Sequence, residues 1–475
     1  MISIAQDNLS LHLIAHVTEM TGLDRARRTH WHENRGFNRA VVSAQNTSTG
    51  IAIRVISDYK EIHRCIFAQK YDIFLQQFAY FCNSKYHQTV QIEFFHNRIS
   101  FICLIIFGIT LIIQLLYHWG LFSRVAFYKR KKRPKLNEEL EPVSVVLCAR
   151  NAYEYLTELI PVLLNQDYPD FEIVVVNDCS DDETEEYLKE LARREPKIKP
   201  VQMRQHLNFF SGKKFPLSMG IKSAKNDLII FTECSCMPAN DQWLRSVVNC
   251  YGGNTEVVIG YSPYIQKKNI INKIIRFDAL QQGLHYLSST LAGHPYMGIG
   301  RNLSYRQDLF FRNKGFISHY TTSVGEDDLF INKVAKKRNT EALIDAENTI
   351  YTTPPSSFKI WIHQKSSRYS TVRKYNAKTR TQLSVFYTSQ FLFYASFIAL
   401  LCLEPAFTIG SEAFYVPILA FLFLMRFGTQ LIIYRNASKR LGEKGLLPGL
   451  IVYDFIFAFL SPWLRLMGRM NVGVE

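Results

Sequence analysis

Three clusters of polar residues stand directly after short apolar runs in the middle of the chain, and their side chains are of types that bind phosphate. The clusters are Ala149–Asn151, Asp178–Asp182 and Glu233–Ser235. Ligands of open α/β sheets bind beyond the carboxyl ends of the strands. Because the three clusters would lie along one sheet edge, we predict a nucleotide or phosphate site there. The sequence contains no glycine pattern of the dinucleotide-binding or P-loop type, so neither of those sites is supported.

The segments around these clusters alternate between strand-like and helix-like patterns. Short apolar runs predict buried strands, and apolar residues at helical spacing predict helices. The predicted strands are Val143–Cys148, Phe171–Asn177 and Leu228–Thr232, and the predicted helices are Tyr153–Leu164, Thr184–Arg193 and Pro216–Ala224. This alternation indicates an α/β fold with a mostly parallel sheet covered by helices.

The composition excludes several classes of protein. Of the 475 residues, 47% are hydrophobic and 20% are charged, which excludes a disordered or low-complexity chain. The nine cysteines include no Cys-x-x-Cys pair, which argues against a disulfide framework and against a zinc ribbon. The net charge of +15 fits nucleic acid, an anionic membrane surface or acidic substrates as partners.

An uncharged stretch from Ile99 to Ser123 is long enough to cross a bilayer. It is followed by Arg124 and by a basic cluster that runs from Lys129 to Lys135. By the positive-inside rule, this flank lies in the cytoplasm. A membrane surface therefore accounts for much of the positive charge, and no nucleic-acid partner is needed.

Three further apolar stretches lie near the C-terminus: Leu383–Leu403, Phe414–Tyr434 and Leu446–Leu464. The first connector between them has no lysine or arginine, and the second has four, so both flanks of the central region should be cytoplasmic. Arg426 and Asp454 interrupt the last two stretches. Either these residues pair inside the membrane, where an isolated charge is costly, or Arg426 snorkels and the last stretch lies at the interface.

A series of segments, taken in order and spacing, resembles the core of the family 2 glycosyltransferases. The segments are Val145–Asn151, Asn177–Asp182, Gly212–Ile221, Phe231–Pro238, Gly298–Tyr305, Gly325–Asp328 and Gln364–Tyr369. The resemblance covers roughly Ile99 to Met467 and is closest to the membrane-embedded bacterial synthases of cellulose and poly-N-acetylglucosamine. It implies a GT-A domain, which is a Rossmann-like α/β fold that binds a nucleotide-diphosphate sugar, flanked by transmembrane helices.

The resemblance implies roles for residues near the nucleotide. Asp178 matches the acidic residue that contacts the base or the ribose, with a turn-capping aspartate as the alternative. Lys213 lies in the Gly-Lys segment that borders the nucleotide in the family, and a solvated lysine is the alternative. Arg150, in the first polar cluster, is grouped with them as a substrate-binding residue.

Glu233 and Ser235 stand where the family carries an Asp-x-Asp motif. In the family this motif holds Mg²⁺ or Mn²⁺ against the diphosphate, a task that suits hard oxygen ligands. The resemblance therefore implies a divalent cation at these two residues. Ser235 replaces the aspartate that is usually the direct ligand, so its hydroxyl or a bridging water would have to serve instead.

Asp327 matches the acidic residue that deprotonates the acceptor hydroxyl in the family, and Glu326 beside it is counted with the substrate-binding residues. Neighbouring acids raise one another's pKa towards a value useful for a general base. Glu326 and Asp328 could do this for Asp327. The alternative is that these acids favour the start of the helix that begins near Leu329, through its dipole.

Gln364, Arg368 and Tyr369 match the Gln-x-x-Arg-Trp motif, with tyrosine in place of tryptophan. Positions four apart share a helix face, so Gln364 and Arg368 should point together. In the family the arginine binds the diphosphate and the aromatic residue contacts the acceptor sugar. The cations around the motif, Lys365 among them, are expected to face lipid.

The interpretation divides the chain into four parts. Residues 1–97 are an extension of unknown role, expected to be poorly ordered, and residues 98–124 are a transmembrane helix. Residues 140–380 form a cytoplasmic GT-A domain that ends in an interfacial helix, and residues 383–466 form a C-terminal transmembrane region of two or three helices.

The predicted activity is that of an inverting glycosyltransferase, integral to a bacterial inner membrane. It would move a sugar from a nucleotide-diphosphate donor, expected to be a UDP-sugar, to a growing polysaccharide. A lipid acceptor, such as a polyprenyl phosphate or a glycolipid, is one alternative. The other, motivated by Ser235, is a non-catalytic membrane protein that binds a nucleotide sugar. Membrane lipids are predicted partners in each case.

Overall fold

The computed structural model describes residues 41–47, 50–56, 98–129, 140–204, 212–320, 322, 324–403 and 415–470. The chain divides into two units, Met1–His96 and Asn97–Glu475. In the first unit, strands β1 (Val41–Thr47) and β2 (Gly50–Ile56) pair in an antiparallel hairpin, which the sequence did not predict. The expectation of poor order for residues 1–97 otherwise lies outside the described residues.

The second unit contains a seven-stranded sheet in the order β10-β8-β9-β6-β3-β4-β5. Its strands are β3 (Val143–Ala149), β4 (Phe171–Asp178), β5 (Ile198–Met203), β6 (Leu228–Phe231), β8 (Val257–Gly260), β9 (Leu303–Arg306) and β10 (Thr340–Leu343). Strand β9 runs antiparallel to both of its neighbours, and the other pairs are parallel. A short antiparallel pair lies beside this sheet, β7 (Cys236–Pro238) with β11 (Ile350–Thr352). The predicted α/β fold with a mostly parallel sheet is confirmed.

Helices cover both faces of the sheet. They are α3 (Tyr153–Leu164), α4 (Thr184–Arg194), α5 (Lys214–Ser223), α6 (Trp243–Val248), α7 (Ile270–Leu291), α8 (Gln307–Arg312) and α9 (Asp328–Val334), preceded in the chain by α1 (Arg98–Leu116) and α2 (Ser123–Ala126). Alternate residues of β3 enter opposite cores: Val145 packs in the core with α3 and Val146 in the core with α7. Gly220 lets α5 approach the sheet, because a Cβ there would lie 2.8 Å from the side chains of Val146 and Val176.

Within the described part of the chain, four helical segments are long and apolar enough to cross a membrane: Ile99–Ala126, Ala377–Leu403, Val416–Leu441 and Leu447–Met467. The first joins α1 to α2 through a π-helical turn, Tyr117–Phe122. The others belong to α11 (Ala377–Leu403), α12 (Tyr415–Leu441) and α13 (Leu450–Met470), and α10 (Phe358–Val372) precedes them. Since α11 already begins at Ala377, the predicted domain boundary at residue 380 falls inside a continuous helix.

A buried polar cluster ties these four segments together. Arg426 Nη1 lies 2.7 Å from Asp454 Oδ2, and both side chains are 1% exposed. Tyr394 donates its hydroxyl to the same carboxylate at 2.6 Å, and Gln114 Oε1 accepts from Arg426 Nη2 at 3.0 Å. The pairing of Arg426 with Asp454 is confirmed, and the alternative of a snorkelling Arg426 is wrong.

Buried ion pairs connect the sheet domain to its helical partners. Arg276 of α7 contacts Glu443, which follows α12, at 2.6 Å with both side chains almost fully buried. Lys365 of α10 contacts Asp278 of α7 at 2.7 Å. The expectation that Lys365 faces lipid is wrong, because its ammonium is buried against this carboxylate.

Candidate functional site

The carboxyl ends of β3, β4 and β6 meet at one edge of the sheet, as predicted, because these strands are parallel neighbours. Cys148, near the end of β3, lies at the centre of this edge. Burial raises the pKa of its thiol, Lys213 opposes the shift, and Asp178 and Glu326 add to it. Residues from all these segments are therefore close enough to act electrostatically on one thiol.

The carboxylate of Glu233, just beyond β6, forms ion pairs with two basic side chains. Its Oε1 lies 3.3 Å from Lys213 Nζ, and its Oε2 lies 3.1 Å from Arg301 Nε. Burial alone would raise the pKa of this carboxyl, but the charges of Lys213, Arg301 and Arg368 together hold the pKa well below its usual range. Glu233 is therefore a carboxylate that positions cations.

Asp327 caps the N-terminus of α9. Its Oδ1 accepts from the backbone N–H of Asp328 at 2.8 Å, and its Oδ2 accepts from the backbone N–H of Gly300 at 3.0 Å. Gly325 makes the tight entry to this turn possible: its φ is +105°, and a Cβ there would lie 2.6 Å from Leu329. The acidic helix start and a site role are thus compatible, as the sequence suggested.

The two acids that flank Asp327 have raised pKa values. Burial, followed by the charge of Asp327, raises the pKa of Glu326 to about 7. The same two causes raise the pKa of Asp328 to about 6. Asp328 accepts from Tyr375 at 2.6 Å and from Thr371, so it links α9 to α10 and its surroundings. Glu326 instead lines a cavity.

A cavity lies between the sheet edge and α9 and opens to solvent; its empty space, open solvent included, is about 490 Å³. Its charged lining residues are Lys213, Glu233, Glu326 and Asp327. Arg368 Nη2 lies 3.9 Å from Asp327 Oδ2, at the border of this cavity and a second one.

The second cavity lies among α7, α10 and the membrane-span candidates, and its empty space, open solvent included, is about 500 Å³. Its lining includes Arg368, Tyr369, Tyr296, Tyr387 and Arg465. The guanidinium of Arg465 stacks 4.0 Å from the centre of the Tyr387 ring and 5.6 Å from that of Tyr369. The cavity therefore combines aromatic faces with cations.

Some predicted site residues lie outside these two cavities. Asp178 ends β4, and Arg150 follows β3 with an exposed side chain, and neither lines the cavity at Glu233. Gln364 lies on α10 one turn before Arg368, but its side chain is exposed and lines neither cavity. The roles of all these residues stay predictions.

The residues at the predicted metal position fit a divalent cation poorly. Both oxygens of Glu233 face cations, and Ser235 lines neither cavity. Over the described part of the chain, no three His, Cys, Asp or Glu side chains come together as a metal site. Hard divalent cations need several oxygen ligands, so no step of the chemistry is assigned to a metal here.

Sequence reasoning gave no specific role to Arg301, although it lies in the matching segment Gly298–Tyr305. It linked Asp328 only to the pKa of Asp327 or to the start of the helix, and it expected Lys365 to face lipid. Arg301 is 14% exposed and stacks on the ring of Tyr264 at 4.8 Å while it pairs with Glu233. Its partners come from distant parts of the chain, so the segment alone did not reveal these contacts. The acidic neighbours of Asp327 were visible in the sequence, but the contact of Asp328 with α10 was not.

Residues 144–311 match the family described as Glycosyl transferase family 2. An uncharacterized glycosyltransferase of Haemophilus influenzae is 39% identical over 83 residues, which are 15% of this chain and 26% of that protein. The poly-beta-1,6-N-acetyl-D-glucosamine synthase of Staphylococcus aureus is 27% identical over 175 residues, which are 36% of this chain and 41% of the synthase. The matches therefore span less than half the length of either curated relative.

Among solved structures, the mannosyltransferase PcManGT from Pyrobaculum calidifontis, in complex with GDP-Man and Mn²⁺, is 17% identical with a TM-score of 0.45. The similarity covers 75% of this chain and 98% of that chain.

Proposed function

We propose that this protein transfers a sugar from a nucleotide-diphosphate donor to a growing polysaccharide at a membrane, because residues 144–311 match Glycosyl transferase family 2. UDP is the expected nucleotide. The donor diphosphate binds in the cavity at Glu233, beside Lys213 and Arg368. Asp178 and Arg150 contact the nucleoside at the same sheet edge.

The proposed reaction is a single displacement. An acceptor hydroxyl gives its proton to Asp327 as its oxygen bonds to the anomeric carbon, and the bond from that carbon to the diphosphate oxygen breaks. Negative charge grows on the departing diphosphate, where Arg368 and Lys213 stabilise it. One displacement inverts the anomeric configuration, so an α-linked donor yields a β-linkage.

The observation that carries this proposal is the position of Asp327. Its carboxylate lines the cavity that contains Lys213 and lies 3.9 Å from Arg368, which lines the second cavity. A base must reach the acceptor while the leaving group meets cations. Asp327 lies at the border of the two cavities, so its carboxylate can serve the acceptor while the neighbouring cations serve the leaving group.

The second cavity supports a saccharide acceptor. Tyr296, Tyr369 and Tyr387 offer aromatic faces of the kind on which sugar rings pack. Its cations, Arg368 and Arg465, would equally suit the phosphate of a lipid acceptor, so that acceptor is the second candidate. The four apolar helices and the basic flank of the first one favour a cytoplasmic active site at the inner membrane.

A donor screen on membranes that contain the full chain tests the function. UDP- and GDP-linked radiolabelled sugars are supplied, and the products are separated into polymer and organic-extractable lipid. The proposal expects label in polymer from at least one donor, absent with Asp327→Asn. Label only in the organic phase would replace the polysaccharide acceptor with a lipid. Nucleotide-sugar binding without any transfer would support the non-catalytic alternative.

A further inference from the structure

The position where the family motif holds a dication is surrounded by the chain's own cations. Glu233 is the one carboxylate of the segment Glu233–Ser235, and its two oxygens face Lys213 at 3.3 Å and Arg301 at 3.1 Å. A divalent cation placed on this carboxylate would meet an ammonium and a guanidinium at short range. Like charges at such distances repel strongly where water is partly excluded.

The positive side chains at this position already favour binding of a diphosphate. Lys213 and Arg301 together carry the two positive charges that a dication would bring. They face one carboxylate where the family motif has two, because Ser235 is neutral. Counted over Lys213, Arg301, Glu233 and Ser235 alone, the motif position without a metal is therefore more positive than two aspartates with a bound dication, whose charges cancel. Phosphate oxygens are attracted to such a site without further help.

Two contacts hold the side chain of Arg301 in place. Its Nε is bound by Glu233, its guanidinium stacks 4.8 Å from the ring centre of Tyr264, and its side chain is 14% exposed. The residue before it, Gly300, donates its backbone N–H to Asp327 at 3.0 Å. Glu233 and Tyr264 thus fix the orientation of the guanidinium, and fixing a binding group in advance lowers the entropy cost of binding.

We propose that Lys213 and Arg301, positioned by Glu233, bind the donor diphosphate directly in place of a divalent cation. The inference rests on the proposed function, and it adds Arg301 to the substrate-binding residues. Arg301 suits a fork of hydrogen bonds to phosphate oxygens, and Lys213 acts as a mobile point charge. Nucleoside diphosphate binding by this chain then requires neither Mg²⁺ nor Mn²⁺.

Binding measurements on the purified full chain in detergent micelles test this without relying on turnover. Isothermal calorimetry is run with UDP and GDP, and with the matching nucleosides uridine and guanosine. Each titration is done in EDTA, in Mg²⁺ and in Mn²⁺. The proposal expects the preferred diphosphate to bind in EDTA with a Kd within about twofold of its value in either metal, which is a negligible free-energy difference.

Substitutions test whether Lys213 and Arg301 account for diphosphate binding without a metal. Lys213→Gln and Arg301→Gln should each weaken diphosphate binding about tenfold, since a charge-assisted hydrogen bond contributes on that order. Binding of the nucleoside should stay unchanged, because it has no phosphate. Arg194→Gln is the matched control: it removes an exposed arginine that pairs with Glu190 on its own helix, and it should alter neither Kd.

Ser235→Asp should create the dependence that the natural chain lacks. The added carboxylate should weaken diphosphate binding in EDTA, and Mn²⁺ should restore it. Thermal unfolding of every variant confirms that the protein is folded.

The results separate this inference from the proposed function. Diphosphate binding that disappears in EDTA, while nucleoside binding persists, would overturn the direct role of the two cations and leave the transferase intact. Equal loss of nucleoside and diphosphate binding in Arg301→Gln would also overturn it. Metal-free binding without sugar transfer from any donor would leave the cation site standing and remove the proposed function.

Discussion

Glu326 combines three properties that a reactive carboxyl needs. It lines the cavity at Lys213, its side chain is half-buried, and its buried Oε2 has no hydrogen-bond partner among the described residues. Burial and the charge of Asp327 raise its pKa to about 7. A proton on Glu326 near neutral pH would reduce the negative charge around the donor diphosphate, so its titration bears on both folding and activity.

The raised pKa of Glu326 makes a prediction about stability. The folded protein favours the protonated form, so this group's contribution to stability is complete below the usual pKa of 4.5 and is lost as the pH rises through about 7. Glu326→Gln removes this loss. Its Tm relative to the natural protein should therefore be higher at about pH 8 and nearly equal at about pH 4. Thermal unfolding across this range measures it.

Glu190→Gln serves as the control, because Glu190 is 60% exposed and lies on α4. Its Tm difference should change little with pH. A Tm difference for Glu326→Gln that is the same at both ends of the range would contradict the account of its burial.

The sequence identified those site residues that belong to a recognisable local motif. Asp327 and Arg368 were proposed from two separate motifs, and the structure brings them to 3.9 Å. Arg301 lies in the matching segment Gly298–Tyr305, but its role could not be predicted, because it depends on Glu233 and Tyr264, which are distant in the chain. Lys365 was assigned to lipid for the same reason, since Asp278 is 87 positions away.

Among the secondary-structure elements, those with a clear periodic pattern were predicted almost to the residue. Helix Tyr153–Leu164 has the predicted bounds, and strand β4 extends the predicted Phe171–Asn177 by one residue. Helix α7 was not predicted, because it is buried along most of its length. Its polar residues, such as Arg276, Asp278 and Gln281, are buried with the apolar ones and do not form a separate exposed face. The position of β9, antiparallel between β6 and β8, could not be predicted either, since strand order depends on long-range pairing.

The Arg426–Asp454 pair predicts how the membrane-span candidates hold together. Asp454→Asn leaves the Arg426 charge buried with a weaker partner, so we expect about 3 kcal/mol of destabilisation. Asp454→Asn with Arg426→Gln should be less destabilised than Asp454→Asn alone, because no charge is left unpaired. Thermal unfolding in micelles measures this. The double variant Asp454→Arg with Arg426→Asp should regain only part of the lost stability. Tyr394 donates its hydroxyl to the carboxylate at position 454, and the exchange moves that carboxylate to position 426.

An equal loss of stability in Asp454→Asn and in the charge-free double variant would contradict the pairing account. Ser461→Ala on the same helix is a control for substitution inside a buried helix face, since Ser461 is 2% exposed and uncharged.

Across the whole molecule, buried ion pairs join the sheet domain to the helices that follow it. Arg276 and Glu443 are 3% and 0% exposed, and Tyr261 donates its hydroxyl to Glu443 at 2.9 Å. The second cavity lies in the same region, between α7 and the membrane-span candidates. The proposed donor and acceptor sites therefore belong to one rigidly connected part of the chain.

The proposed orientation in the membrane rests on the charges of the connectors and can be checked at one cysteine. Cys402 is exposed at the end of α11, next to the connector that carries no lysine or arginine. In a Cys65→Ser, Cys82→Ser background, an impermeant maleimide should label Cys402 in spheroplasts and not in inverted vesicles. The same protein with Cys402→Ser is the control. Labelling from the cytoplasmic side alone would reverse the proposed topology.

The most direct test of the central claim is sugar transfer by purified full chain with three proteins side by side: the natural sequence, Asp327→Asn and Glu326→Gln. Release of the nucleoside diphosphate and transfer of labelled sugar are measured with the donor found in the screen. The account predicts that Asp327→Asn lowers the rate by about 10²-fold or more, the range of a lost general base, while it still binds the donor. Glu326→Gln should keep measurable activity. Undiminished transfer by Asp327→Asn, or loss of transfer confined to Glu326→Gln, would contradict the assignment of Asp327 as the base.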